Sequence, residues 1–179
     1  MHRDDQGTRQ NLRYTVIPRT LCFLTQGDDL LLLRGAPGKR LWRDRLNGVG
    51  GHLERGEDPL SAVRREVLEE TGLEVAAPEL RALVQIDGDA NGGPGVLLFV
   101  FVAGAPSRDL LPSAEGALAW YPLPDVLAGR GSLAESLVDD LPCLLPRILG
   151  PGWHGQLVYG HYSADETGVV QYRFTSQGA

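Results

Sequence analysis

Residues 51–73 read GHLERGEDPLSAVRREVLEETGL, and this stretch holds the strongest local signals in the chain. Asp58 and Pro59 predict a helix start, because an Asp side chain caps free backbone amides and Pro loses no hydrogen bond at the first helical position. Gly72 predicts the helix end, since glycine readily adopts the left-handed conformation of a C-cap. The stretch therefore reads as a loop, one helix and a second loop.

The predicted helix carries three carboxylates on one arc. At 3.6 residues per turn, its buried stripe consists of Leu60, Val63 and Val67. Glu66 and Glu70 fall on one flank of this stripe, and Glu69 lies next to them. Like charges at i and i+4 repel, more strongly when partly desolvated, so we expect a cation on this arc. Carboxylate oxygens favour Mg²⁺, with Mn²⁺ as an alternative; a solvated acidic helix face is the competing interpretation.

The spacing of the whole stretch resembles the signature of the Nudix hydrolases. The matching positions are Gly51, Glu57, Arg65, Glu66, Val67, Glu69, Glu70, Gly72 and Leu73. This resemblance implies an α/β fold, an α/β/α sandwich with a mixed β-sheet that carries the loop-helix-loop motif. It also implies Mg²⁺-dependent cleavage of a nucleoside diphosphate linked to another group. A divalent metal suits this chemistry, because it bridges a dense anion to an acidic protein and orients an attacking water.

The resemblance assigns roles to individual residues. Glu66, Glu69 and Glu70 would bind metal, together with the backbone carbonyl of Gly50 and the loop carboxylate of Glu115. The candidate catalytic residues are Glu69, Glu70, Glu115 and Arg65. For Arg65 we favour a structural ion pair with Glu57 over direct phosphate contact, and Glu115 has the alternative of an ordinary loop glutamate.

Outside the motif, the chain is similar to the MutT-type branch, which hydrolyses oxidised purine nucleoside triphosphates such as 8-oxo-dGTP. This similarity assigns substrate binding to Asn47, Gly51, Asp139, Asp140 and Arg34. Each of three has a simpler alternative: a turn for Asn47, a helix cap for Asp140 and a surface position for Arg34. Leu137 stands where 8-oxo-dGTP-cleaving members have a base-stacking tryptophan, which argues against tight recognition of an oxidised purine.

Two other functions remain open at this stage. The first is hydrolysis of ADP-ribose, a nucleotide sugar or a dinucleoside polyphosphate, which remains an alternative because Leu137 replaces the base-stacking tryptophan. The second is a non-catalytic nucleotide-sensing module. The complete motif disfavours this second alternative, because such a module is expected to lose a metal-binding glutamate.

The composition excludes several other classes of protein. The 179 residues are 42% hydrophobic, which fits one domain, expected at residues 15–179 after a flexible leader at residues 1–14. A net charge of −6 disfavours binding to a nucleic-acid polymer. The longest apolar run, residues 96–103, is far shorter than the roughly 20 residues of a membrane span. With two cysteines and no secretory signal, we expect a cytoplasmic protein that acts on small nucleotides.

Hydrophobic patterning places the other elements. Strands are predicted at residues 20–24 and 30–34 around a five-residue connection, and at 80–86, 96–102 and 117–121. The strand that begins at Val96 is expected to be central, since it is apolar throughout. Leu141 to Leu149 shows the period of an amphipathic helix. Residues 156–162 and 169–174 predict a closing hairpin.

Overall fold

The computed structural model describes residues 14–38, 42–88, 93–129, 131–165 and 167–176. Apart from Tyr14, the leader predicted at residues 1–14 lies outside the described residues. The elements in chain order are β1 (Val16–Gln26), β2 (Asp29–Gly35), β3 (Leu46–Asn47), α1 (Pro59–Thr71), β4 (Glu79–Ile86), β5 (Gly95–Gly104), β6 (Gly116–Pro122), α2 (Leu123–Ala128), α3 (Gly131–Ser136), α4 (Leu141–Ile148), β7 (Val158–Ala164) and β8 (Val170–Ser176).

The strands form one mixed sheet in the order β3-β2-β1-β5-β4-β7-β8, with β6 on the other edge of β2. The pairs β1–β5 and β4–β7 are parallel, and the remaining pairs are antiparallel. The predicted strands are confirmed, and β5 lies at the centre of the sheet order as expected. The predicted closing hairpin is present as β7 and β8.

Each face of the sheet packs against helices. On one face, Val63 and Val67 of α1 are buried with Cys22 and Leu24 of β1. On the other, a larger cluster joins the sheet to apolar residues of α2 and α4, and α3 packs against it through Leu133. The predicted α/β/α sandwich with a mixed sheet is therefore confirmed. Within the described residues, no helix is long and apolar enough to cross a membrane.

Helix α1 begins and ends as the sequence predicts. The Asp58 carboxylate accepts hydrogen bonds from the amides of Leu60 and Ser61, at 2.8 and 3.0 Å. Gly72 closes the helix with a φ of 78°, and its amide donates to Leu68 O. The prediction that Leu60 is buried is wrong: this side chain is 38% exposed, because it lies in the first turn, outside the buried cluster under α1.

The connection between β1 and β2 is shorter than predicted, since both strands extend into it. Their direct pairing covers only residues 24–26 of β1. Further back along β1, the edge of the strand pairs instead with the loop after β3: Cys22 N donates to Val49 O and Thr20 N donates to Gly51 O. This inserted loop delivers the glycines of residues 48–51 to the carboxylates of α1.

Two of these glycines have no room for a side chain. A Cβ atom would lie 2.6 Å from Cys22 O at Gly48 and 2.3 Å from Thr20 O at Gly50. Gly50 also has a φ of 151°, which side chains rarely tolerate. Close approach of the loop to β1 therefore accounts for the glycines at these two positions.

Candidate active site

A cavity of about 400 Å³ opens on the side of the sheet that α4 covers. Its walls come from α1, from strands β1, β2, β4, β5, β7 and β8, from β3 with the loops before and after it, and from the residues just before α4. Two groups of residues lining it differ in character. We call Arg19, Gly50 and Glu70 the acidic wall, and Asp140, Tyr162 and Tyr172 the aromatic wall.

The acidic wall is built around Glu70. Its side chain is buried at 7% exposure, and its carboxylate accepts a hydrogen bond of 3.0 Å from the amide of Gly50. Glu66, one turn earlier, packs its carboxylate against the loop: a Cβ atom on Gly51 would lie 2.4 Å from Glu66 Oε1. Glu69 points outward, with 58% of its side chain exposed. Of the three predicted helix carboxylates, Glu70 alone lines the cavity.

Arg65 is held in a network of acceptors outside the cavity. Its guanidinium donates to both carboxylate oxygens of Glu57, at 2.7 and 3.0 Å, so the predicted ion pair is present. It also donates to Glu66 Oε1 at 2.9 Å, to Glu69 Oε2 at 3.2 Å and to His52 O at 3.1 Å. The hydrogen bond from Arg65 holds the pKa of Glu57 below its ordinary value. Arg65 thus ties the helix to the loop, and no contact of it reaches the cavity wall.

The donor set fits a hard divalent cation. The available groups are carboxylate and backbone oxygens, which Mg²⁺ prefers. The missing Cβ of Gly51 makes the space in which the Glu66 carboxylate sits. In the arrangement seen here, however, no three His, Cys, Asp or Glu side chains among the described residues converge closely enough to form a metal centre. Arg65 supplies the positive charge beside Glu66 and Glu69 instead.

The aromatic wall contains a carboxyl in a poorly hydrated position. Burial raises the pKa of Asp140. The Tyr162 ring packs edge-on against Tyr172, with centroids 4.8 Å apart. Asp140 precedes α4, but its side chain makes no capping hydrogen bond, so the interpretation as a simple helix cap is wrong. Its side chain is instead directed to the cavity.

Two buried hydroxyls at the cavity lack hydrogen-bond partners among the described residues: Thr20 Oγ1 and Tyr162 Oη. Buried polar atoms without partners are uncommon, because each carries an uncompensated desolvation cost. Both atoms would regain a partner if a polar ligand or an ordered water entered. The cavity is therefore suited to a ligand with polar groups on its edges.

The other residues proposed to bind substrate are distributed differently. Asn47 lies in strand β3 and not in a turn; it lines the cavity, and its Oδ1 accepts from the Gly48 amide at 2.8 Å. Asp139 also lines the cavity and forms an ion pair with Arg45. Arg34 lies elsewhere: its guanidinium donates to Asp44 O at 2.8 Å and does not line the cavity. Its placement outside the cavity, with an exposed hydrogen bond, agrees with the alternative of a surface arginine.

Glu115 and Trp42 line the cavity, whereas Leu137 does not. Glu115 lines the cavity just before β6. Trp42 also lines it, is 47% exposed and has a φ of 60°, which is unusual for a bulky residue. Leu137 is 1% exposed in the hydrophobic core and does not line the cavity. The presence of leucine instead of tryptophan at position 137 therefore does not change the wall of this cavity.

Sequence reasoning missed Arg19, Thr20 and Tyr162. Arg19 and Thr20 precede the motif by more than thirty residues, and no local pattern links them to it. Tyr162 falls in the predicted closing hairpin, where strand alternation with Val158 puts it on the buried face. A buried tyrosine hydroxyl needs a polar neighbour, and this requirement was a usable signal for Tyr162.

A NUDIX domain model matches residues 16–141, well over half of the chain. The chain belongs to the Nudix family. An uncharacterised Nudix hydrolase of Bacillus subtilis is 31% identical over 116 residues, which span 63% of this chain and 70% of that protein. A human 8-oxo-dGDP phosphatase is 33% identical over 120 residues, which span 64% of this chain but only 33% of the human protein.

Among solved structures, the MutT protein of Bacillus halodurans superposes with a TM-score of 0.71 at 27% identity. The match covers 89% of this Nudix hydrolase and 97% of the MutT chain. The match covers more of the chain than the domain model does. The resemblance to the family and to its MutT-like members is thereby confirmed.

Proposed function

We propose that this Nudix hydrolase is a Mg²⁺-dependent pyrophosphohydrolase that converts a purine nucleoside triphosphate, with an oxidised purine such as 8-oxo-dGTP favoured, to the monophosphate and pyrophosphate. The observation that carries the proposal is that Glu70 and Asp140 line one cavity. A single ligand that spans the two walls has an anionic part suited to metal and carboxylates, and a polar ring suited to a half-buried carboxyl. A nucleotide has both parts.

The acidic wall would carry the phosphate chemistry. Glu66, Glu69, Glu70 and the carbonyl of Gly50 would hold Mg²⁺, with Glu115 as a further ligand or as the general base. The metal supplies charge neutralisation of the phosphates and lowers the pKa of bound water. The Gly50 amide keeps the Glu70 carboxylate facing the cavity. Arg65 holds Glu66 and Glu69 on the same side of α1, which is a positioning role.

The aromatic wall would read the base. Burial raises the pKa of Asp140, and its carboxyl group offers two oxygens that can accept hydrogen bonds from N–H groups on the edge of a base. An oxidised purine offers a ring N–H beside a carbonyl, which matches such a group. Asp139 and Asn47 contribute further polar atoms at the cavity. Trp42 offers a ring for stacking, in place of the tryptophan that Leu137 replaces.

One relative favours a second substrate class. The human protein that shares 33% identity over 120 residues is named an 8-oxo-dGDP phosphatase. The same base with one phosphate fewer fits the same two walls. Such a substrate would yield a monophosphate and orthophosphate, so the two classes are separable by their products.

The test is hydrolysis by the purified protein of 8-oxo-dGTP, 8-oxo-dGDP, dGTP, dATP, ADP-ribose and a dinucleoside polyphosphate, in Mg²⁺ and in EDTA. We expect Mg²⁺-dependent release of pyrophosphate from 8-oxo-dGTP, with weaker turnover of dGTP. Glu70→Gln is the inactive control. Failure to release pyrophosphate from any purine triphosphate would refute the proposal. Preferred cleavage of ADP-ribose would be compatible with the catalytic role of the acidic wall but would contradict the role of Asp140 in base recognition.

A further inference from the structure

Two arginines lie beside the carboxylates of α1, and their surroundings are opposite. Arg65 donates hydrogen bonds to Glu57, Glu66, Glu69 and His52 O. Arg19 faces the charges of Glu66 and Glu70, but its guanidinium forms no hydrogen bond or ion pair with any described residue. The protein itself occupies the N–H donors of Arg65. The N–H donors of the Arg19 guanidinium remain available to a ligand.

The fold places Arg19 where an anion would lie. It is in β1, and its backbone is bridged to His52, the residue that follows the glycine loop. Its side chain is partly buried and lines the cavity beside Gly50 and Glu70. The five N–H donors of a guanidinium form a planar fork that matches phosphate oxygens. A partly desolvated arginine whose donors are unsatisfied is costly unless a ligand uses it.

We propose that Arg19 binds phosphate oxygens of the substrate at the acidic wall. The assignment rests on the proposed function, in which a di- or triphosphate enters this cavity. Carboxylates repel a polyphosphate, so metal ions and cations of the chain must offset them. Arg65 is already bound to three carboxylates. Arg19 is the cation of the acidic wall whose donors remain available.

A purely structural role makes a different prediction. If Arg19 served only to offset the charges of Glu66 and Glu70, its removal would lower the melting temperature and leave phosphate affinity unchanged. If it binds phosphate, Arg19→Gln keeps the melting temperature of the ligand-free protein, because no protein hydrogen bond is lost. Affinity for a diphosphate then falls.

The experiment is calorimetric binding of methylenediphosphonate, a non-hydrolysable diphosphate without a base, in saturating Mg²⁺. We expect Arg19→Gln to bind about tenfold to a hundredfold more weakly than the natural protein, as for loss of hydrogen bonds to a charged group. Arg19→Lys should recover part of the affinity, since it restores the charge without the fork. Arg64→Gln is the matched control, because Arg64 is on α1 but donates to Ala76 O outside the cavity.

Equal affinities of the natural protein and Arg19→Gln would overturn the assignment, as would failure of the natural protein to bind the probe. In turnover, Arg19→Gln should raise KM more than it lowers kcat. Failure of the proposed function has a different signature: no nucleotide is cleaved, while Arg19→Gln still weakens binding of the diphosphonate. Cleavage of nucleotides with unchanged KM in Arg19→Gln would reject Arg19 and keep the function.

Discussion

The acidic wall and the aromatic wall of the cavity differ in how many of their polar groups already have hydrogen-bond partners in the protein. In the acidic wall and around it, Glu70 accepts from Gly50, and Glu66 and Glu69 accept from Arg65. In the aromatic wall, Tyr162 Oη is buried without a partner among the described residues, beside a carboxyl whose burial raises its pKa. The first wall is already oriented by the protein, as chemistry requires. The second leaves polar atoms to be satisfied by the ligand, as selectivity requires.

The largest effect is expected at the acidic wall. Glu70→Gln keeps the shape of the side chain and an oxygen that can accept from Gly50, but it removes the charge that would bind Mg²⁺. We expect kcat to fall on the order of a thousandfold, since the metal contributes several kcal/mol to catalysis. Steady-state kinetics with Glu74→Gln, outside the cavity, as control would measure this. Full activity of Glu70→Gln would contradict the catalytic role of the acidic wall.

The next effect comes from the loop that supports the carboxylates. Gly51→Ala places a Cβ atom 2.4 Å from Glu66 Oε1, so the carboxylate must move. We expect about a hundredfold loss of kcat with little change in the affinity for the monophosphate product, because misplacement of a group by about 1 Å costs that much. Gly38→Ala is the matched control, since nothing lies within 4 Å of its Cβ position. An unchanged kcat in Gly51→Ala would show that the position of Glu66 is unimportant.

These two walls also differ in how far the sequence could predict them. Glu66, Glu69, Glu70 and the glycine loop lie within one short stretch, where helical period and capping decide the geometry. Arg19, Thr20 and Tyr162 meet Asp140 only because β1 and β7 belong to one sheet, with β5 and β4 between them. The core position of Leu137 and the non-capping side chain of Asp140 likewise depend on packing between distant segments. Most strands could be predicted from the hydrophobic pattern of the sequence. The short elements β3, α2 and α3 could not, because they have too few residues to show a hydrophobic period.

A smaller effect is expected at the aromatic wall. Asp140→Asn should raise KM for 8-oxo-dGTP about tenfold, because an uncharged amide replaces the carboxyl group that would hydrogen-bond to the base. The value of kcat should be nearly unchanged. Parallel kinetics with dATP would show whether discrimination between bases falls. A matched control is Asp109→Asn, outside the cavity. Equal losses of kcat for every substrate would place Asp140 in the chemistry and not in selectivity.

The same substitution has a pH-dependent effect on stability. Burial raises the pKa of Asp140 above its ordinary value of 3.8, so the folded state prefers the protonated form. Its stabilising contribution is complete below the ordinary pKa and is lost as the pH rises through the raised pKa. Asp140→Asn lacks this loss, and its melting temperature relative to the natural protein should therefore increase as the pH rises from about 4 through the raised pKa. A difference that is constant with pH would contradict the raised pKa.

The smallest effects are expected at the two positions linked to stacking. Trp42→Ala should weaken binding of the product nucleotide by about 1 kcal/mol, the low end of the range for loss of a base–aromatic contact, because the residue is 47% exposed. Leu137→Trp should destabilise the fold by about 1–3 kcal/mol through overpacking of a core position, without tighter binding. Chemical denaturation and calorimetry would measure both. Tighter nucleotide binding by Leu137→Trp would show that residue 137 does reach the base.

The division of work between the two walls is tested most directly by calorimetric binding of 8-oxo-dGMP, the proposed product, without metal. Glu70→Gln should bind it as tightly as the natural protein, although it no longer hydrolyses 8-oxo-dGTP. Asp140→Asn should bind it about tenfold more weakly while still releasing pyrophosphate. Weaker binding by Glu70→Gln together with unchanged binding by Asp140→Asn would contradict the assignment of chemistry to one wall and base recognition to the other.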